Sequence, residues 1–301
     1  MSSSATSQLG QAIDNGDFII TAEITPRLSG RADDVLQQAL PLKDKVTAVN
    51  VTDGAGARVA MSSVAASAIL AQNGIEPVLQ MTCRDRNRIA IAADLVGAAA
   101  LGIQNVLVLT GDNPGAGDEP DAKGVFDFTA NEIIELARHM SVDGKIRSGR
   151  EIENPPNFVL GGVDAPFDPP DDWRPDKLAA RAAVGMQFIQ TQFCYEPEMT
   201  KRYVDRLADH GLLDSVALIL GIGPIASLRS AKWMNENLFG VSIPESVMRR
   251  MQDADDEAAE GHQICVELIA AYREMPGVAG VHIMAPAQKT QRIADVIDAV
   301  S

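Results

Sequence analysis

The chain has 301 residues, 46% of them hydrophobic and 22% charged, and a net charge of −15. That length accommodates one large α/β barrel or two smaller domains, and the apolar fraction argues against global disorder. So acidic a surface, with no Lys/Arg cluster to offset it, excludes nucleic acid and anionic membranes as expected partners.

The opening segment MSSSATSQLGQAIDNGDF has neither a basic nor an apolar leader region, so no signal peptide is expected there. No stretch reaches the roughly 18 apolar residues of a membrane span. The first predicted strand is FIITAE (18–23), followed by a helix over 31–43 that Pro41 should bend or end early. VTAVNVT (46–52) is the second strand, and a helix over 57–74 runs to Asn73-Gly74, a suitable C-cap. PVLQMT (77–82), a helix over 86–102 and NVLVLT (105–110) come next. Residues 112–128 form a Gly/Asp/Pro-rich insertion, read as a flexible active-site loop.

A helix over 129–140 opens with Thr129 and Glu132, a capping box. NFVLGG (157–162), helix 176–185, QFIQTQF (187–193), helix 197–211 and SVALILG (215–221) continue the alternation. Helical stretches at 225–238 and 244–275, the strand GVHIMA (280–285) and a helix over 293–300 complete it. Most of the strands lack period-2 alternation, as expected of strands buried on both faces of a parallel sheet. Eight strands alternating with at least eight helices predict a (β/α)8 TIM barrel with extra helices, one domain over 1–301. An open doubly wound sheet is the rival, but AEITPRLSGR after the first strand carries no phosphate fingerprint.

In such a barrel function collects at the C-terminal strand ends. The polar residues there are Glu23, then Thr52-Asp53, then Gln80 and Thr82, then Thr110-Gly111-Asp112, then Gln190 and Gln192, and finally His282 beside Met284. Polar groups breaking apolar strands require hydrogen-bonding partners, and a ligand is one source of them. Structural readings stand beside this. Glu23 pairs with an arginine across the barrel, Asp112 caps a turn through Asn113-Pro114, and Thr52-Asp53 form an Asx turn through Gly54. Gln192 reads equally well as a satisfied core glutamine, and His282 as a packing residue, because no partner acid is identifiable. Cys83, Cys194 and Cys265 are far apart and read as reduced thiols of a cytoplasmic protein, and no CxxC or HxxxH spacing predicts a metal.

Taken in order, AEITPR (22–27), NVTDGAGA (50–57), QMTCRDRN (80–87), VLTGDNP (108–114), FVLGGV (158–163), GMQFIQTQFCY (185–195) and GIGPI (221–225) resemble the methylenetetrahydrofolate reductase family, in its bacterial form limited to the catalytic barrel. The resemblance implies an eight-stranded barrel with FAD at its C-terminal face. It implies NADH or NADPH as electron donor and 5,10-methylenetetrahydrofolate, reduced to 5-methyltetrahydrofolate, as substrate. Hydride passes through the flavin N5. Glu23, Asp112 and Gln192 fall on the family's catalytic positions. Thr52, Asp53, Gln80, Thr82, Thr110, Gly111, Asp112 and Arg181 fall on cofactor-contacting positions, Arg181 toward the phosphates. Gln192 and Leu228 fall on substrate-contacting positions. The chain departs from the enteric form at Gln80 (histidine there), Thr110 (arginine), Val163 (tyrosine) and Leu228 (phenylalanine).

The chemistry explains the residue types. N10 of the folate leaves only when protonated, which a carboxylic acid at Glu23 supplies. Ring opening leaves a 5-iminium cation, which a carboxylate at Asp112 stabilises. The Gln192 amide donates and accepts, so it suits a pterin or a nicotinamide carboxamide. A homo-oligomer is expected from the Ala-rich helices. The competing expectation is a pterin-binding barrel module, or a subunit fed electrons by a partner, without its own NAD(P)H oxidation.

Overall fold

The computed structural model describes residues 7–285 and 289–300; the leader reading of the first six residues lies outside them. Eight parallel strands close into a barrel in sequence order. They are β1 (Ile19–Ile24), β2 (Ala48–Val51), β3 (Pro77–Thr82), β4 (Asn105–Leu109), β5 (Val159–Asp164), β6 (Phe188–Phe193), β7 (Ala217–Ile222) and β8 (Gly280–Ile283). The helices are α1 (Gln8–Asn15), α2 (Ala32–Ala39), α3 (Ser63–Gln72), α4 (Arg88–Ala100), α5 (Ala130–Val142), α6 (Asp176–Ala183), α7 (Pro197–Asp209), α8 (Leu228–Asn237), α9 (Glu245–Asp253), α10 (Glu257–Arg273) and α11 (Gln291–Val300). The predicted (β/α)8 architecture is therefore the observed one, and each expected strand lies within two residues of its observed bounds. Pro41 acts as expected: α2 stops at Ala39 and a single 3-10 turn, Leu40–Leu42, follows.

The helix predicted over 57–74 begins six residues later. Gly54, Gly56 and Ala57 have positive φ, which no helix continues through, and Ser62 supplies the N-cap by accepting from Ala65 N at 3.2 Å. The stretch predicted as one helix over 244–275 is two, because Asp256 caps a new start at Ala258 and Ala259 N, each at 3.0 Å. Helix α1 escaped the sequence reading. Ser7 caps it, accepting from Gly10 N at 3.0 Å, and the Glu76 carboxylate accepts from Gln8 N at 2.6 Å and Leu9 N at 2.8 Å. Its Leu9 packs with Ile19, Ala48, Val78, Leu107, Val159, Phe188 and Ile219 in the lower interior of the barrel.

The register pairs Thr21 with His282, Glu23 with Asn50, Gln80 with Leu107, Gly161 with Phe188 and Val163 with Gln190, which puts these residues on the lumen face. The lumen is apolar below and polar toward the C-terminal ends. Gly161 is required by packing: a Cβ there would lie 2.2 Å from the Phe188 ring. Gly161→Ala is expected to destabilise the protein by about 1–3 kcal/mol in a urea titration, the usual result of overpacking; an unchanged midpoint would mean that Phe188 turns aside without penalty.

The loop 112–128, expected to be a flexible active-site loop, makes hydrogen bonds to its neighbours. Asp118 accepts from Val59 N at 3.0 Å, Val125 N donates to Arg84 O at 2.6 Å, and Asp127 accepts from Arg88 Nη2 at 2.6 Å. Its acidic residues find backbone N–H and guanidinium donors on the neighbouring β2–α3 and β3–α4 segments.

Candidate active site

At the C-terminal end of the barrel lies a cavity of about 400 Å3 whose lining includes Glu23, Gln80, Leu107, Leu109, Val163, Asp164, Gln192, His282 and Met284. Glu23, Gln80 and Gln192, singled out from the sequence, meet there. A second, more apolar cavity of about 340 Å3, with Pro224, Ser227, Arg229, Trp233 and Met234 in its wall, shares Met284 with the first.

Glu23 is a half-buried acid with its side chain 21% exposed. Gln80 Nε2 donates to its Oε2 at 2.9 Å, and His282 Nε2 lies 3.7 Å from the same oxygen. His282 is thus no simple packing residue. The acid that the sequence did not reveal stands on β1, adjacent only because β8 closes the barrel against it. His282 Nδ1 is 2.9 Å from Thr21 Oγ1, and Thr21 Oγ1 accepts from Gln190 Nε2 at 3.0 Å.

Gln192 sits where the β6–β7 register shifts, between Gln190 and Phe193. The irregularity turns its amide so that Nε2 donates to Phe239 O at 3.1 Å and Oε1 accepts from Phe193 N at 3.0 Å. It is neither a core glutamine nor free: a ligand reaching it displaces these two contacts. Phe239, which the sequence reading did not mark, is 89% exposed on the rim of the same cavity. Asp164 was also missed; it accepts from the Tyr203 hydroxyl, and burial together with that carboxylate pushes the Tyr203 phenol up.

The second group of expected residues lies along the ends of β2, β3 and β4. Asp112 is exposed, and its Oδ2 accepts from Gly56 N at 2.7 Å rather than capping the Asn113-Pro114 turn. Asp112 is absent from the lining of the cavity that holds Glu23. Gly111 precedes it at φ +90°, and a Cβ there would stand 3.0 Å from the Thr82 side chain and 3.1 Å from Arg84. Arg84, buried, bridges three strand ends, with Nη1 at 3.3 Å from Gly54 O and 3.5 Å from Asp112 O.

Asp53 forms neither an Asx turn nor an open ligand contact. Its carboxylate accepts from Thr82 N and Thr82 Oγ1 at 2.9 Å each, from Ser63 Oγ at 2.9 Å, and from Arg86 Nη1 and Nη2 at 2.7 and 3.0 Å. Burial raises its pKa, but the Arg86 guanidinium and the other donors outweigh that and hold the carboxyl below its usual value. Thr82 therefore spends its hydroxyl on Asp53.

Arg181 lies on the far side, donating from Nη1 to Val163 O at 2.7 Å and from Nε to Asn131 Oδ1 at 3.2 Å. Leu228 opens α8, its N–H donating to Glu257 Oε2 at 3.0 Å; its half-buried side chain packs on the core. Thr110 is exposed at the end of β4. Burial pushes the Cys83 and Cys194 thiols up to about 11, which leaves neither a nucleophile at neutral pH. Among the described residues no His, Cys, Asp or Glu group could hold a metal, and no helix is long and apolar enough to cross a membrane.

The residues suit a flavin dinucleotide on three counts. Thr52 Oγ1 is buried without a hydrogen-bond partner among the described residues. Leu107, Leu109 and Val163 offer an apolar wall. Arg181 is a half-buried cation that no carboxylate pairs among the described residues, with Nη2 left to donate.

Fold and site together define an α/β barrel with an acid and amides gathered over a ligand cavity. The family model for methylenetetrahydrofolate reductase matches residues 8–300, and the chain belongs to that family. It is 29% identical over 266 residues to methylenetetrahydrofolate reductase 2 of Schizosaccharomyces pombe, covering 82% of this chain and 39% of that one. It is 25% identical over 234 residues to a probable methylenetetrahydrofolate reductase (NADPH) of Caenorhabditis elegans, covering 75% of this chain and 32% of the other. The chain thus spans 39% and 32% of the length of these two relatives. A solved structure of an uncharacterized protein from Clostridium thermocellum that binds two copies of 5-methyl-5,6,7,8-tetrahydrofolic acid superposes with a TM-score of 0.61. It covers 96% of both chains at 15% identity, a likeness of fold.

Proposed function

We propose that this chain reduces 5,10-methylenetetrahydrofolate to 5-methyltetrahydrofolate with NADH or NADPH as donor and FAD as carrier. The observation that carries the reading is Glu23: a half-buried carboxyl on the lumen face of β1 that lines the cavity, one oxygen held by Gln80, the other without a hydrogen bond among the described residues. Thr52, Gln80, Thr110 and Gly111 would hold the flavin ring, and Arg181 the phosphates. Bound FAD would supply a two-electron hydride carrier between the nicotinamide and the folate.

The chain's own residues do the rest. Glu23 delivers a proton to N10, so that the five-membered ring opens with a neutral amine leaving. Asp112 keeps Oδ1 unbonded among the described residues and places a negative charge against the resulting 5-iminium. Gln192 exchanges Phe239 O and Phe193 N for the pterin edge or the carboxamide. The apolar cavity around Trp233 suits the p-aminobenzoyl portion, with Arg229 at its wall for a glutamate carboxylate. The three buried thiols suit a reducing cytoplasm. The exposed Ile89 and Val96 of α4 suit contact between copies of one barrel domain.

The test is an anaerobic visible spectrum of protein mixed with FAD and desalted, before and after NADH or NADPH. Flavin that bleaches, then returns on adding methylenetetrahydrofolate, supports the proposal and names the donor. Retained flavin that does not bleach points to a partner-fed subunit, and no retained flavin to a pterin-binding module. Asp112→Asn is expected to slow the folate half-reaction by about 10²-fold while sparing flavin reduction. Stopped-flow traces showing equal loss in both halves would sink that role.

A further inference from the structure

The lumen carries a directed chain of hydrogen bonds whose sense can be followed atom by atom. Gln190 Nε2 donates to Thr21 Oγ1 at 3.0 Å and to Asn50 Oδ1 at 3.2 Å, and Gln190 Oε1 accepts from Asn50 Nδ2 at 2.5 Å. Both hydrogens of the Gln190 amide are therefore used. Thr21 Oγ1 accepts from Gln190, and His282 Nδ1, 2.9 Å away, is the one acceptor within reach of its hydroxyl hydrogen among the described residues, so the arrangement that satisfies this buried hydroxyl donates it to Nδ1. A ring nitrogen that accepts from a hydroxyl carries no proton, so the neutral His282 ring bears its hydrogen on Nε2.

Nε2 stands 3.7 Å from Glu23 Oε2. That is too long for a direct hydrogen bond, but it sets the protonated edge of the buried ring beside this oxygen. Gln80 Nε2 donates to the same Oε2 at 2.9 Å. Oε2 thus faces two N–H groups, while no hydrogen bond reaches Oε1 among the described residues. On a protonated carboxyl the oxygen that bears the hydrogen is a donor and cannot face two donors.

We propose that Thr21 and His282, with Gln80, are positioning residues that confine the Glu23 proton to Oε1, the oxygen left without a hydrogen bond among the described residues. The inference rests on the reading of Glu23 as the acid. The geometry gives the acid one productive orientation and blocks transfer of its proton inward to the imidazole, where it would be lost to catalysis. Thr21 and His282 are 0% and 3% exposed, so bulk water does not scramble the arrangement.

The test is the 15N–1H correlation spectrum of the imidazoles in 15N-histidine-labelled protein, which separates Nε2–H from Nδ1–H tautomers. The chain has four histidines, and His282→Gln assigns the one signal set that matters. The expected result is Nε2–H for His282 in the wild type and in Thr21→Ser. In Thr21→Val the Nδ1 nitrogen loses its hydroxyl donor, so its 15N signal moves to that of an unbonded ring nitrogen, and the folate half-reaction falls tenfold or more while flavin reduction is unchanged. An Nδ1–H ring in the wild type, which the opposite sense of the Asn50–Gln190 amide pair would impose, overturns the inference. So does a Thr21→Val protein with unaltered Nδ1 signal and folate rate. The wild-type spectrum decides even if Thr21→Val fails to fold. Glu23→Gln decides separately whether Glu23 is the acid, so the two failures are distinct.

Discussion

Glu23→Gln is expected to lose reduction of methylenetetrahydrofolate by about 10²–10⁴-fold, the usual contribution of a general acid, while the flavin is still reduced by NAD(P)H. The substitution changes little else. A glutamine side chain fills the same volume, and its amide oxygen still accepts from Gln80 Nε2, which lies 2.9 Å from Glu23 Oε2 in the wild type. What disappears is the proton, and only ring opening of the folate needs it. Stopped-flow measurement of the two half-reactions separates the steps. Folate turnover at the wild-type rate would remove Glu23 as the acid and leave the lumen network a structural device.

Asp53→Asn is expected to damage stability rather than chemistry. The carboxylate is the hub of a buried ion pair, with the Asp53 and Arg86 side chains 7% and 14% exposed. Removing one charge of such a pair leaves the other desolvated and costs about 3–5 kcal/mol. Here the low end applies, because Arg86 keeps Asp94 at 2.8 Å. The asparagine amide would also turn a donor toward the donors Thr82 N, Ser63 Oγ and Arg86, which now converge on the carboxylate. Urea unfolding at pH 7 reads the loss, and a shift under about 1 kcal/mol would refute the hub.

The pH dependence has a definite sign. The folded-state pKa of Asp53 lies below its ordinary 3.8. Its stabilisation is therefore complete above that value and is lost as the pH falls through the lower folded value. The stability gap between wild type and Asp53→Asn should stay constant from pH 7 to about 4 and close only below that.

The sequence by itself determined the architecture. Eight apolar runs, each as long as a strand and each followed by a segment of helical periodicity, admit few topologies, and strand-end polar residues mark one face of a parallel barrel. It also pointed to Glu23, Gln80 and Gln192, because a polar side chain inside an apolar strand stands out against its neighbours. Helix α1 was not legible: its eight residues are held by Glu76, 67 positions from Leu9, and a short helix owes its stability to such tertiary partners.

Only the tertiary structure decided the company each polar group keeps. Thr21 and His282 are 261 residues apart and meet because β8 closes the barrel against β1. Asp53 looked like an open strand-end acid until Arg86 and Ser63 were seen to occupy it. The 112–128 loop reads as mobile from its glycines and acids, yet its carboxylates find donors on neighbouring loops. Local pattern sets which side chains face the lumen, since that follows from the two-residue period of a strand. Which of them touch depends on the stagger between strands and on barrel closure, and those are fixed by packing of the whole chain.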